Sequence, residues 1–258
     1  MLRKGDLTQG GITGTLLHFT LPMMVGSFLQ QCYNIADTLI VGQCIGAGAL
    51  AAVGSAYTLM VFLISVLLGL AMGSGTVFSL HYGAGNHVAL RRSIFSSFVL
   101  IGIVTLILNV AVFIWLDPIL RLLQVPQDIY GMMRSYLWII FCGIVFTFIY
   151  NFYASLLRAV GDSVTPLWFL AVSVVLNIAL DLFFILQLDW GIQGAAAATV
   201  LAQGVAALGI IIYTYRRRPE LRWHHEDMCF DRTCLKEIAS FSTLTCVQQS
   251  VMNLGILM

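Results

Sequence analysis

An all-α polytopic membrane protein is the fold this sequence predicts, and three observations predict it. Hydrophobic residues make up 59% of the chain and charged residues only 10%, with a mean hydropathy of +0.92. Soluble domains carry roughly 25% charge. The apolar residues also fall in long runs, and a bilayer-crossing helix needs about 20 of them. Six complete spans follow, at 15–41, 50–80, 94–116, 132–157, 164–187 and 192–215, with a seventh beginning near 235 and still running at Met258. Short polar breaks join them, and the chain contains no soluble domain. Net charge is +1, which gives no footing for a nucleic-acid partner. The first apolar run is too long for the roughly 7–15-residue core of a cleaved leader, so it reads as a retained helix.

The breaks carry helix punctuation. Gly42 to Gly48 separates the first two spans, and Tyr82-Gly83-Ala84-Gly85-Asn86 ends the second. Asp117-Pro118 and Pro126 bracket the third loop. Gly161-Asp162-Ser163 precedes Pro166, which sits in the first turn of span five, where proline is tolerated. Asp189-Trp190-Gly191 is a tight turn into span six. Pro22 lies inside span one, lacks an N–H donor, and should kink that helix or leave it bendable.

Lys and Arg set the expected orientation. With the N-terminus in the cytoplasm, only Arg121 and Arg134 of the thirteen basic residues fall outside. The expected location is a plasma membrane, the bacterial inner membrane, with membrane lipid as one partner.

A weak internal repeat appears on a shift of 218 residues. It places Thr15 on Thr233, Leu17 on Leu235 and Gln30-Gln31 on Gln248-Gln249. The reading is a six-helix lobe at 1–215, a cytoplasmic loop at 216–234, and a truncated first helix of a second lobe at 235–258. The rest of that lobe is the expected partner, and the chain is a fragment or a half-length protein.

The chemistry lies within the spans. Asp37 and Asp181 sit in apolar runs free of Lys and Arg. A charge there costs at least about 2.5–3.5 kcal/mol, so each carboxylate needs a proton, a metal cation or a cationic substrate. Both lie near the outer ends of spans that run outward. Thr199 is eight residues, or about 12 Å, into span six, at the same level. Asn34 shares a helix face with Asp37, and Asn177 with Asp181. Two carboxylates held close cannot both carry charge comfortably, so the cluster can take up and release a proton. The same oxygens suit a hard cation such as Na⁺. The plainer readings are that Asp37 reaches the interface, that the amides join neighbouring helices, and that Thr199 bonds its own backbone.

Other polar residues are weaker candidates. Gln30, Gln31, Tyr150, Asn151 and Gln203 are candidate contacts in a substrate cavity. The aromatics of span four fit core or lipid packing better than a drug site. Gly69, Gly73 and Gly75 and the run Ala195 to Ala198 read as close helix packing. His224, His225, Cys229 and Cys234 share one loop but lack the paired spacing of a zinc site. The six cysteines suggest no disulfide framework. An intramembrane aspartyl protease would need Gly-x-Gly-Asp, and this chain offers only Ala159-Val160-Gly161-Asp162, so no enzyme activity is expected.

The segments LPMMVGSFLQQCYNIADTLIVGQ, GLAMGSGTVFSLHYGAGN, LLRAVGDSVTPLW, LNIALD and GAAAATV, in this order and spacing, resemble the multidrug and toxic compound extrusion family, most of all its bacterial branches. The resemblance implies twelve helices in two six-helix lobes and a non-enzymatic antiporter, driven by H⁺ or Na⁺, that exports amphipathic organic cations and other drugs. It implies a cation site at Asp37, Asn177, Asp181 and Thr199, a coupling bend at Pro22, and no cofactor beyond the coupling ion. A flippase for a lipid-linked precursor, or a lobe that does not transport alone, are the alternatives. Apart from Arg134 at the outer end of span four, the complete spans contain none of the Lys or Arg that anionic head groups would favour.

Overall fold

The computed structural model describes residues 12–222 and 232–257, and every regular element among them is helical. The helices are α1 (Ile12–Cys44), α2 (Ala47–Gly83), α3 (His87–Leu122), α4 (Gln127–Cys142), α5 (Ile144–Ala159), α6 (Val164–Leu182), α7 (Gly191–Arg217) and α8 (Arg232–Leu257). A π-helical turn, Phe183–Gln187, prolongs α6, and a 3₁₀ turn, Pro219–Leu221, follows α7. The long apolar helices make the protein a multi-pass membrane bundle.

Most helices extend past the apolar run that signalled them; the α6 span, Val164–Gln187, coincides with its run. α2 has 37 residues where the expectation was 50–80. At 1.5 Å per residue it is about 55 Å long, well beyond the ~30 Å hydrocarbon core. Backbone hydrogen bonding continues into the headgroup zone, so composition marks only the lipid-embedded part. α2, α3, the α6 span and α7 are each long and apolar enough to cross a membrane. Gln30, Gln31, Asn34 and Asp37 dilute the hydropathy of α1.

Span four is not one helix. α4 and α5 meet at Gly143 with a bend of 46°, and only taken together are they long and apolar enough for a further span. The expected continuous helix at 132–157 is thus corrected to two limbs. One glycine costs a helix only about 1 kcal/mol, so composition alone does not break it. The neighbours do: Val200 of α7 packs so closely that a Cβ on Gly143 would lie 2.4 Å from its Cγ2.

Small residues set the other close approaches. A Cβ at Gly69 would lie 2.5 Å from the Cys246 backbone, and one at Gly73 would lie 2.4 Å from Ser242 Cα. α8 therefore lies almost backbone to backbone along α2, held also by Ser242 Oγ donating to the Leu70 carbonyl at 3.3 Å. Ala195, Ala196 and Ala198 are fully buried where α7 meets its neighbours. The aromatics of α5 fill the core: Phe152 packs against Phe78 at 5.9 Å and Phe98 at 5.3 Å. The opposite faces point outward to lipid, as in the α3 stripe Ile103, Leu106, Ile107, Val110 and Ile114 at helical spacing.

The breaks are chemically specified. Gly161 adopts φ +87°, a conformation natural to glycine. The next residue, Asp162, accepts from the Thr165 backbone N–H at 3.0 Å and from its hydroxyl at 2.8 Å, capping α6. Arg218, just beyond α7, reaches the same carboxylate at 3.5 Å. The Gly-Asp pair is thus a helix start. Asp189 and Gly191 both take φ 53° in the turn between spans five and six, where Trp190 stacks on Phe184. α1 runs as one helix through Pro22.

Candidate functional site: a buried acid cluster

Three helices bring the site together. α1 carries Tyr33 and Asp37, one turn apart on one face. α6 carries Asn177 and Asp181 at the same spacing. α7 crosses both and contributes Thr199. α1 lies against α6 at Gly26, where an added Cβ would make ordinary van der Waals contact with Leu167 and Leu170, at 3.7 and 4.0 Å. Asp181 is fully buried and Asn177 nearly so, and Asp37 and Thr199 are 9% and 7% exposed.

The hydrogen bonds form a directed chain. The Asn177 amide satisfies both its ends when its nitrogen donates to Asp181 Oδ2 at 2.9 Å. Its oxygen then accepts from the Thr199 hydroxyl at 3.3 Å and the Thr199 backbone N–H at 3.2 Å. A hydroxyl has one proton to give. With that proton on Asn177, the Tyr33 hydroxyl must donate to Thr199 Oγ1, 3.2 Å away. Thr199 therefore ties α1 to α6 through α7.

The Asp37 and Asp181 carboxyl groups are near enough to interact with each other. Oδ1 of each is buried without a partner. Neither forms an ion pair with a Lys or Arg among the described residues. Buried polar atoms normally find a partner. Two carboxylate oxygens left open, in one pocket, are therefore ready for a proton or a hard cation. The oxygens of Asp37, Asp181, Asn177 and Thr199 have the chemistry to hold Na⁺.

Two residues were missed from sequence. Tyr33 was signalled by its four-residue spacing from Asp37. Tyr136 of α4 is 3% exposed and close enough to Asp37, Tyr33 and Asp181 to feel their charge. Nothing local to Tyr136 marks it, because the packing of α4 brings it there. The π-helical turn directly after Asp181 was also not legible. Such turns recur at functional sites, and here the turn places Phe184 against Gly194 of α7, where a Cβ would meet Phe184 at 3.0 Å.

Other expected members sit elsewhere. Asn34 does not join the cluster, since its amide donates to Gln31 Oε1 at 3.1 Å. It is three residues from Asp37, which rotates it toward the preceding turn's exposed edge. Gln30 and Gln31 are exposed. A small, partly open cleft lies between α2, the α4–α5 bend and α7, with Thr147, Thr199 and Gln203 in its wall. The Thr147 hydroxyl donates to Gln203. Tyr150 and Asn151 are not in that lining: Tyr150 donates to the Pro166 carbonyl at 3.0 Å and Asn151 to the Thr147 carbonyl at 2.8 Å. His224, His225 and Cys229 lie outside the described residues, as does the side chain of Cys234.

Fold and site together define a class: a helical membrane bundle with an ionisable cluster sealed between its spans. The model of the MatE family matches residues 22–183, and the chain belongs to that family. The probable multidrug resistance protein YpnP of Bacillus subtilis is 37% identical over 217 residues, which cover 84% of this chain and 49% of that protein. The multidrug export protein MepA of Staphylococcus saprophyticus is 31% identical over 210 residues, covering 78% and 45%. The chain thus spans about half the length of the curated relatives it matches. The fold resembles the outward-facing conformation of a multidrug resistance MATE family transporter, with a TM-score of 0.92 at 24% identity over 100% of this chain and 57% of that one.

Proposed function

We propose that this bundle is the cation-handling half of a drug exporter in the plasma membrane, its N-terminus cytoplasmic. A proton or Na⁺ enters from outside and neutralises the Asp37–Asp181 pair. The neutralised cluster favours an arrangement of α1, α6 and α7 that holds an amphipathic organic cation weakly, and the drug leaves. Loss of the ion restores the binding arrangement. Differential affinity for two states is sufficient for coupling. The carrying observation is the pair of buried carboxylates with open oxygens and no cationic side chain bonded to either. The names of the relatives, a multidrug resistance protein and a multidrug export protein, support the drug cargo.

The test is ethidium efflux from cells expressing the transporter that carries this lobe, with Asp181→Asn against wild type. Efflux should fall by about tenfold or more, the scale of an ordinary coupling free energy. Unchanged efflux overturns the reading. Parallel proton and ²²Na⁺ fluxes in proteoliposomes identify the coupling ion.

A further inference from the structure

We propose that the break at Gly143 is a working joint in span four, with its angle tied to the acid cluster through Val200 and Thr199. Three independent contacts meet there. Val200 of α7 occupies the space that a side chain at Gly143 would need, with Cγ2, Cγ1 and Cβ 2.4, 2.7 and 3.0 Å from an ideal Cβ position. Its neighbour Thr199 is the residue that links Tyr33 to Asn177. Asn109 of α3, only 8% exposed, donates its amide to the Phe141 carbonyl at 2.8 Å. A helix end leaves carbonyls without intrahelical partners, and Asn109 supplies a donor at the end of α4. Span four has no proline, so the bend has no covalent cause of the usual kind. It is held by a wedge from α7 and a polar strap from α3.

The placement gives the joint a consequence. The cleft beside the cluster is walled by Phe141 from one limb and Thr147 from the other, and by Thr199 and Gln203 of α7. A shift of α7 that follows rearrangement at Thr199 carries Val200 with it and changes the angle between the limbs. That angle sets the width of the cleft. Packed interfaces of this kind switch between discrete arrangements rather than deforming smoothly. Gly143, Val200 and Asn109 are positioning residues, acting through α4 and α5. The coupling part rests on the proposed ion-handling role of the cluster, whereas the joint itself does not.

The experiment measures the angle directly. Spin labels go on Asp128 and Ala159, near the far ends of the two limbs, in a background with native cysteines replaced by serine, in lipid nanodiscs. Each limb of sixteen residues is about 24 Å long, so a change of roughly 10° moves its end by about 4 Å. Gly143→Ala should shift the distance distribution on that scale, and adding Val200→Ala should return it toward wild type. Val200→Ala alone, which removes the wedge without crowding, should also shift it and serves if Gly143→Ala does not accumulate. Asp181→Asn should shift it as well. A distribution unchanged by both Gly143→Ala and Val200→Ala, or a Gly143→Ala shift that Val200→Ala does not reverse, overturns the joint. A distribution unchanged by Asp181→Asn overturns its link to the cluster. If Asp181→Asn shifts the distance but leaves ethidium efflux intact, the joint stands and the proposed transport role falls.

Discussion

The acids at the two kinds of site in this protein solve opposite problems. Asp117, at the α3–α4 end, is half exposed and accepts from Arg134 Nε at 2.7 Å, from Arg134 Nη2 at 3.3 Å and from the Tyr130 hydroxyl at 2.9 Å. Asp162 caps α6 and meets Arg218. Both have partners that hold them in place. Asp37 and Asp181 are buried, close together, and each keeps an oxygen unpartnered. The contrast teaches that the bundle has guanidinium groups to spend on acids at its ends and spends none among its described spans. A fixed cation in the pocket would hold the carboxylates permanently neutralised. In the proposed mechanism a mobile proton or cation takes that place.

The comparison can be broken most directly by double substitution. Asp37→Asn and Asp181→Asn should each lower ethidium efflux by about tenfold or more, and the double variant should be no worse than the more damaged single, because groups acting as one unit are non-additive. Two independent losses that multiply would mean that the acids work separately. A smaller effect is expected at Asp162. Asp162→Ala removes a helix cap, which costs about 1 kcal/mol, so the thermal transition in detergent should fall while efflux per folded molecule is retained. Tyr33→Phe removes one hydrogen bond to Thr199, worth about 1 kcal/mol. Half-saturation of transport by the coupling ion should rise by roughly fivefold, with thermal stability close to wild type. Least of all should follow from Asp117→Asn. Water replaces its partners at the surface, so neither melting nor efflux should move beyond measurement error.

Much of this architecture was legible because the bilayer imposes a long-wavelength code. Span limits, the Gly161-Asp162 helix start and the Asp189–Gly191 turn follow from apolar length and turn chemistry. The acids stood out because charge is rare in such runs, and helical spacing correctly placed Asn177 with Asp181. The same spacing rule misled at Asn34. Three residues before Asp37 and four residues before it are both neighbours on a helix, and only the position of α7 made Tyr33, at four, the inward one. Gly143 looked like any membrane glycine. The break there depends on Val200, 57 positions away, and on Asn109, 34 positions away. Tyr136 likewise enters the site through the crossing of α4, and no local pattern encodes a crossing.

By itself the sequence determined that this chain crosses a membrane several times as helices, and where, because unpaired backbone groups are too costly in hydrocarbon for any open alternative. It also determined that two carboxylates would be stranded inside. Tertiary structure alone decided that they share one pocket, which hydroxyls join them, and where span four bends. Those outcomes are set by side-chain volumes meeting across helices far apart in the chain, and van der Waals contact acts only at the distances that folding creates.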